Sequence, residues 1–523
     1  MFVRPAMILR PLLHNMSLKK YLVPIAFVCI SLIGIFLRIY FYALDRSLWY
    51  DEVRLAYSIV NRSFSGLLQP LEYRQVAPIG FLFVQKAIVY TLGKSDYALR
   101  LLPLIAGIAS IHLMYKVVKS YAKGVAPFIA FGLFSFSERL IYYSSELKQY
   151  STDVLVALLL LIVSLRCLDN KKGVSLIILG FVGAFSLWLS HPSLFILVGT
   201  GFALGLGFLR ERDWPQLWRI IGVVLIWCLS FTTLYFISLR HPLSDNNVIN
   251  YWQGYFMPWP PWSDMSWHYR AWIDLLRNPA RLPPIILTLV IIVLGWISLL
   301  YRRWQLAMIF MVSFLTVLIA SAFRGYPFGD RLMIFSLPLI FLLLAEGIER
   351  IRLFFMRVSI WPAVLSCILF TTLFWSHPLY TAYSNVLRPK MGEDIKPVMA
   401  YMRDNRLGSD SIYIYYGAQP AFQYYSSRYG FTEKDYVVGV KSRDDLAKYI
   451  QDINKLSGQD RNWFVFSHNC PKCIVDEKLF VLLYLNKTGT RKDEFVFSES
   501  AVYLYDLSND KLARSDSTND SKH

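Results

Sequence analysis

The chain has 523 residues, 55% of them hydrophobic and only 17% charged, with a mean hydropathy of +0.40, a composition that excludes an ordinary soluble globular protein. Aromatic residues make up 16%, including 15 Trp and 33 Tyr, as expected where rings belt two membrane interfaces. The formal net charge of +18 fits Lys and Arg held beside anionic lipid; no nucleic-acid motif accompanies it, so the expected partner surface is membrane lipid and not nucleic acid.

Arg4, Arg10, Lys19 and Lys20 precede the first apolar run, and no small-residue cleavage site follows it. This reads as an uncleaved anchor. Apolar runs recur near 21–42, 97–118, 124–143, 154–168, 174–190, 193–209, 218–239, 282–300, 305–323, 332–348 and 358–376, which predicts about eleven spans. Glu138 and Arg139 interrupt the third, and the fourth is short. Every second connection is short and basic: Lys116, Lys119 and Lys123; Arg166, Lys171 and Lys172; Arg210, Arg212 and Arg219; Arg302 and Arg303; Arg350, Arg352 and Arg357. The positive-inside rule puts these and the N-terminus in the cytoplasm. The expectation is a multi-pass plasma (inner) membrane protein whose remaining connections, and everything after about residue 380, lie outside.

The first outer connection opens with Ser47-Leu48-Trp49-Tyr50-Asp51-Glu52-Val53-Arg54. Ionisable groups where a chain leaves a membrane are functional candidates; the plainer reading is a solvated loop with Asp51 as a helix N-cap. Residues 77–86 read as an interfacial helix with Pro78 in its first turn. In the segment 142–153, helical spacing would put Glu146, Tyr150 and Asp153 on one face, with Lys148 elsewhere; an ordinary polar helix end is the alternative. His191, before Pro192, reads as an interfacial histidine. The 240–281 connection is rich in aromatics, among them Trp252 and Trp259, which serve either as interface anchors or as a stacking platform for sugar or lipid. In Arg324-Gly325-Tyr326-Pro327-Phe328-Gly329-Asp330-Arg331, an outer Arg asks for an anion: a phosphate at Arg331, or a salt bridge to Asp330 or another carboxylate.

Cys29, Cys167, Cys228 and Cys367 lie in apolar runs and read as small buried hydrophobes. Cys470 and Cys473 form a lone Cys-Pro-Lys-Cys, which His468 could join as a metal ligand; in an extracytoplasmic tail a local disulfide is the stronger reading. The composition therefore predicts a polytopic α-helical membrane domain over 1–379, a small α/β domain over 380–513, and a disordered tail over 514–523. In the α/β domain, 411–416, 463–466, 494–497 and 502–505 read as strands and 444–456 as an amphipathic helix.

Ser47-Leu48-Trp49-Tyr50-Asp51-Glu52 resembles the first-loop acidic motif of GT-C fold glycosyltransferases, within them the protein-mannosyltransferase-like group of glycosyltransferase family 39 and its bacterial relatives, the aminoarabinose transferases. Further matches are Ala77-Pro78-Ile79-Gly80-Phe81, the stretch Ser95 to Pro103 with Ala98-Leu99-Arg100-Leu101, Tyr142 to Tyr150, and Tyr326 to Pro338, together covering most of 20–350. The resemblance implies a GT-C-like fold and transfer of a sugar from a polyprenyl-phosphate carrier to an acceptor hydroxyl on a protein, lipid or polysaccharide, on the outer face. It makes Asp51 the general base and places Arg54 on the donor phosphate, which Arg331 could join if it holds an anion. Gln75 stands near a position where the aminoarabinose transferases carry Lys, and Leu55 replaces their Tyr. Tyr150 stands where some relatives have an acid, which leaves Glu146 or Asp153 for that role; Lys148, Tyr150, Trp252 and Trp259 are the remaining substrate-binding candidates. Glu52 either orients Asp51 or shares a divalent metal with it; no organic cofactor is implied. A single base opposite the leaving phosphate implies inversion. The competing class is a flippase of lipid-linked sugars, although the duplicated halves common in transporters are not visible.

Overall fold

The computed structural model describes residues 16–169, 173–469 and 475–508. Arg4, Arg10, Lys171, Lys172, Cys470, Cys473 and the predicted 514–523 tail lie outside the described residues. The chain divides into two compact units: Met1–Leu44 with Arg62–Leu387, and Asp45–Asn61 with Arg388–His523.

In chain order, α1 is Met16–Ala43 and α2, which belongs to the second unit, is Tyr50–Asn61. The first unit continues with α3 (Ile79–Leu92), α4 (Asp96–Tyr121), α5 (Ala126–Phe136), α6 (Glu138–Tyr143), α7 (Tyr150–Asp169), α8 (Gly173–Leu189), α9 (Ser193–Glu211), α10 (Trp214–Leu234), α11 (Met265–Arg277), α12 (Ile285–Arg302), α13 (Trp304–Ala322), α14 (Leu337–Met356) and α15 (Ile360–Leu387). Among the described residues, nine helices are long and apolar enough to cross a membrane. The predicted runs near 124–143 and 174–190 form shorter apolar helices, α5 and α8. Phe181, Leu229, Ile286 and Leu369 are exposed; outward apolar faces of this kind suit lipid and not water. Cys29 and Cys228 are exposed as well, while Cys167 is buried, so two of the four cysteines lie on these outward faces instead of in the core.

The interruption at Glu138 and Arg139 is physical. The chain leaves helical geometry at Ser137, between α5 and α6. A helix that ends inside a packed bundle leaves carbonyls unpaired. Arg38 of α1, only 1% exposed, meets that need by donating to the Ser135 carbonyl at 3.1 Å and to the Gly34 carbonyl at 2.9 Å. Helices α12 and α14 cross where a Cβ on Gly295 would strike the Leu343 carbonyl and one on Gly347 would strike that of Ile291. Below this crossing Glu346, 1% exposed, takes Arg302 at 2.8 Å, Arg350 at 3.3 Å and the Ser298 hydroxyl at 2.5 Å; a buried carboxylate is tolerated only with such company.

One local expectation fails. Residues 144–149 form a turn, not a helix. The Ser144 and Ser145 hydroxyls bond back to the carbonyls of Ile141 and Tyr142, competing with the next helical turn. Glu146 therefore does not share a helix face with Tyr150 and Asp153, which begin α7. The apolar helix expected over 77–86 is present as α3, over Ile79–Leu92, with Pro78 at its N-cap and not in its first turn.

The second unit adds α16 (Lys396–Asn405), β1 (Ser411–Ile414), α17 (Gln419–Ser426), β2 (Tyr436–Val438), α18 (Ala447–Asn454), β3 (Asn462–Phe466), α19 (Glu477–Thr488), β4 (Thr490–Phe497) and β5 (Ser500–Asp506). The sheet order is β2-β1-β3-β5-β4, parallel from β2 to β3 and antiparallel thereafter. Every residue of β3 is buried, as an inner strand covered on both faces requires. Phe464, Phe466, Tyr503 and Tyr505 pack with Ile453 of α18 and Leu485 of α19.

At the N-terminus of α19, buried Glu477 accepts the Tyr415 hydroxyl at 2.5 Å, the Tyr416 hydroxyl at 2.9 Å and the Tyr449 hydroxyl, with Arg443 at 3.2 Å. Burial works to raise its pKa, but the three phenols and Arg443 hold it below the ordinary carboxylate value. A depressed carboxylate stabilises the fold above its unfolded pKa and loses that contribution as pH falls through the folded one. The advantage of wild type over Glu477→Gln is therefore expected to be full at neutral pH and to vanish below the ordinary carboxylate range, read from hydrogen exchange of β3 across a pH series.

Candidate functional site

The predicted site residues fall into both units: Asp51, Glu52 and Arg54 in the second, and Gln75, Glu146, Lys148, Tyr150, Asp153, Trp252, Trp259 and Arg331 in the first.

In the second unit the segment leading into α2 is pinned amide by amide. The Ser47 N–H donates to Asp394 at 3.1 Å, Leu48 N–H to the Tyr425 hydroxyl at 2.8 Å, Trp49 N–H to Glu52 at 3.2 Å and Tyr50 N–H to Glu393 at 3.1 Å. The Lys396 N–H returns a bond to the Ser47 hydroxyl at 3.0 Å. The first helical carbonyl belongs to Trp49, which receives the Val53 N–H. Trp49 is thus the N-cap, and Asp51 is not. Glu52, three residues on, reaches back to the Trp49 amide as the acid of a capping box does, and it is fully buried. Asp51 and Arg54 are half-buried on another face of the same helix, and a carboxylate in the first turn suits the positive helix end.

The Arg54 guanidinium lies 3.8 Å from the Tyr50 ring centroid and also bonds the Tyr50 hydroxyl. The His468 ring stacks parallel on Tyr50 at 3.8 Å. Two groups this near one centroid must take opposite faces. Glu393 fixes His468 through Nδ1 at 2.6 Å. Burial pushes the Tyr50 phenol above its usual range, so it stays a neutral donor at physiological pH. Glu393, Asp394, Tyr425 and the stacking role of His468 were not legible in the sequence, because each lies over 340 positions from its partner and no local spacing marks it.

Glu52 accepts the Trp49 amide through one carboxylate oxygen. The described residues hold no group of three or more His, Cys, Asp or Glu placed to bind a metal ion.

In the first unit, Lys148 is only 6% exposed and donates from Nζ to Gln75 Oε1 at 2.7 Å. A cation thus stands beside the Gln that replaces an expected Lys. Glu146 is buried in the adjoining turn, and Tyr150 packs edge-on against Tyr143 at 4.9 Å. A cavity of about 250 Å³ lies against the start of α7, with Phe195, Phe231, Leu239 and Trp252 among its apolar walls and Gln149, Asp153, His191 and Arg324 among its polar lining. Gln149 Oε1, Asp153 Oδ1 and His191 Nε2 are buried with no hydrogen-bond partner of good geometry among the described residues. Trp252 also carries the Arg331 guanidinium 5.6 Å over its ring. Asp330 accepts the Asn278 amide at 3.1 Å. Trp259 is exposed and leans on Phe323 at 5.6 Å, so of the two named tryptophans Trp252 is in the cavity wall and Trp259 is on the surface. Gln149 and His191 were missed as lining groups; both sit at helix starts and ends, where apolar periodicity is silent.

No protein-family model and no curated protein matches the chain. Among solved structures, it is similar to ArnT from Cupriavidus metallidurans in the apo state, at 12% identity over 93% of this chain and 98% of that one, with a TM-score of 0.49. It is similar to the same protein bound to undecaprenyl phosphate, at 13% identity over 92% and 97%, with a TM-score of 0.47. A further similar structure is the archaeal oligosaccharyltransferase AglB from Archaeoglobus fulgidus with an inhibitory peptide and a dolichol-phosphate, at 12% identity over 93% and 74%, with a TM-score of 0.45.

Removing the Tyr425 hydroxyl leaves a buried amide without its acceptor, which costs about 1–3 kcal/mol. Tyr425→Phe is expected to speed hydrogen exchange of amides 48–53 by about tenfold or more, while β3 exchange stays at the wild-type rate.

Proposed function

We propose that the chain is a GT-C-like membrane glycosyltransferase that moves a sugar from a polyprenyl-phosphate carrier to a hydroxyl of an acceptor protein, lipid or polysaccharide. The N-terminus is cytoplasmic, and the chemistry and the C-terminal domain are on the outer face. The observation that carries the reading is the cavity at the start of α7. Its walls are apolar, yet Gln149, Asp153 and His191 line it, each with a buried polar atom that has no partner of good geometry among the described residues, Asp153 standing beside the Ser190 hydroxyl. An apolar pocket with a few convergent polar groups is the form expected for a small-molecule site, and sugar hydroxyls can both donate and accept there. The likeness of the first-loop motif to family 39 points the same way.

In this reading Asp51 accepts the proton of the acceptor hydroxyl as its oxygen attacks the anomeric carbon. The bond from that carbon to the phosphate oxygen breaks, its electron pair leaves with the polyprenyl phosphate, and the new glycosidic bond forms with inversion. Arg54 and Arg331 are assigned to the leaving anion, joined by Lys148, which takes the place that Gln75 leaves unfilled. Glu52 is assigned to holding the helix start and thereby the orientation of Asp51. Asp153 is assigned to contacting the substrate, and Glu146, buried in the adjoining turn, to a supporting role.

Asp51→Asn is expected to insert and fold normally and to lose about 10²–10⁴-fold in transfer from labelled polyprenyl-phosphate sugars in membrane vesicles. Turnover at the wild-type rate removes the assignment, and label that crosses leaflets with no new glycosidic bond supports the flippase instead. Arg331→Ala is expected to raise the donor concentration needed for half-maximal rate and to leave acceptor dependence unchanged.

A further inference from the structure

A second cavity, of about 340 Å³, lies at the other end of α7 and is lined by Tyr115, Lys116, Lys119 and Ser120 of α4 and by Ile162, Leu165, Arg166 and Asp169 of α7. Asp153 and Arg166 are about 20 Å apart along the helix, so this is not the sugar cavity. Both helices end here, at Tyr121 and Asp169, and the lining reaches back about 10 Å from those ends, the depth of lipid headgroups and the first acyl carbons.

The charge in this cavity is out of balance. Three cations face one carboxylate, Asp169, and Arg303 is within 3.5 Å of it. Among the described residues, Lys116 and Arg166 have no ion-pair partner. Lys119 Nζ stands 5.8 Å from the Phe27 and Tyr115 rings, which steer it without neutralising it. Like charges three residues apart on a helix repel, and the interface screens them less than bulk water does. The negative ends of α4 and α7 offset part of that repulsion, but they are not a counter-ion within the cavity. The floor is apolar where Ile162, Leu165 and Tyr115 meet it.

We infer that the Lys116–Lys119–Arg166 cavity binds the phosphodiester headgroup of an anionic membrane lipid, with the glycerol and upper acyl carbons against Ile162 and Leu165. Basic pockets between membrane helices at the membrane surface recognise lipid phosphate in this way. On the orientation implied by the basic connections, the lipid belongs to the cytoplasmic leaflet. A free phosphate shares the headgroup chemistry but makes no use of the apolar floor. The inference is independent of the transferase reading.

The test is native mass spectrometry of the purified full-length protein in detergent, titrated separately with phosphatidylglycerol, phosphatidylcholine and inorganic phosphate. Phosphatidylglycerol is expected to be retained at one site and phosphatidylcholine not. K116Q/K119Q/R166Q should bind it about a hundredfold more weakly, and K116R/K119R/R166K should bind it as wild type does. If the triple Gln variant aggregates, K119Q alone is expected to lose about fivefold. R210Q/R212Q, in another basic connection, should leave binding unchanged. Equal retention of the two lipids, full binding by the Gln variants, loss in R210Q/R212Q matching that in the triple variant, or saturation by inorganic phosphate without competition from lipid would each overturn the inference.

Discussion

Four consecutive backbone amides, from Ser47 to Tyr50, each donate to a side chain of the second unit. Helix starts carry amides with no intrahelical acceptor, and burying one unpaired costs about 1–3 kcal/mol. Here Asp394, Tyr425, Glu52 and Glu393 meet that cost. The result is that Asp51, the residue on which the chemistry is proposed to turn, stands on a helix whose entry has little freedom. A base must be held within hydrogen-bond reach of the proton it takes, and a loose loop would lose most of that advantage to misplacement. The C-terminal α/β domain is therefore more than an appendage: by contact it is the body to which the acidic helix belongs.

The same rule of pairing organises the helical unit. Arg38 closes the broken end of α5, and Glu346 sits among Arg302, Arg350 and Ser298. In hydrocarbon such groups survive only when satisfied. Gln149, Asp153 and His191 are among the described residues with a buried polar atom that has no partner of good geometry, and these three line one cavity. A cavity lined by several such groups offers hydrogen-bond sites to a polar ligand.

Some of the site was legible residue by residue. Asp51, Glu52 and Arg54 stood out because charge is costly where a chain leaves the bilayer. Trp252 did so because aromatic residues in a connection have few uses. The division of labour between the neighbouring acids was not legible. Asp51 and Glu52 are identical in chemistry and adjacent in sequence, and only the helix start at Tyr50 decides that Glu52 turns back to cap while Asp51 does not. Glu146 was misread for a similar reason, since serine hydroxyls that end a helix look in sequence like residues that continue one. The three-residue β2 gave too short a pattern to register, whereas β3 and β5 announced themselves by β-branched and aromatic runs.

From the sequence alone came the membrane-spanning character, the order of the apolar helices, the α/β character of the tail and the acidic motif after the first helix, because hydropathy and charge placement are local properties of the chain. Only the tertiary structure determined that α2 is held by residues more than 340 positions away, that Lys148 comes to Gln75, and that two separate cavities lie at opposite ends of α7. Those are consequences of packing: a hydrogen bond or a void depends on which distant segments arrive side by side, and no periodicity within a segment records the segment it will meet.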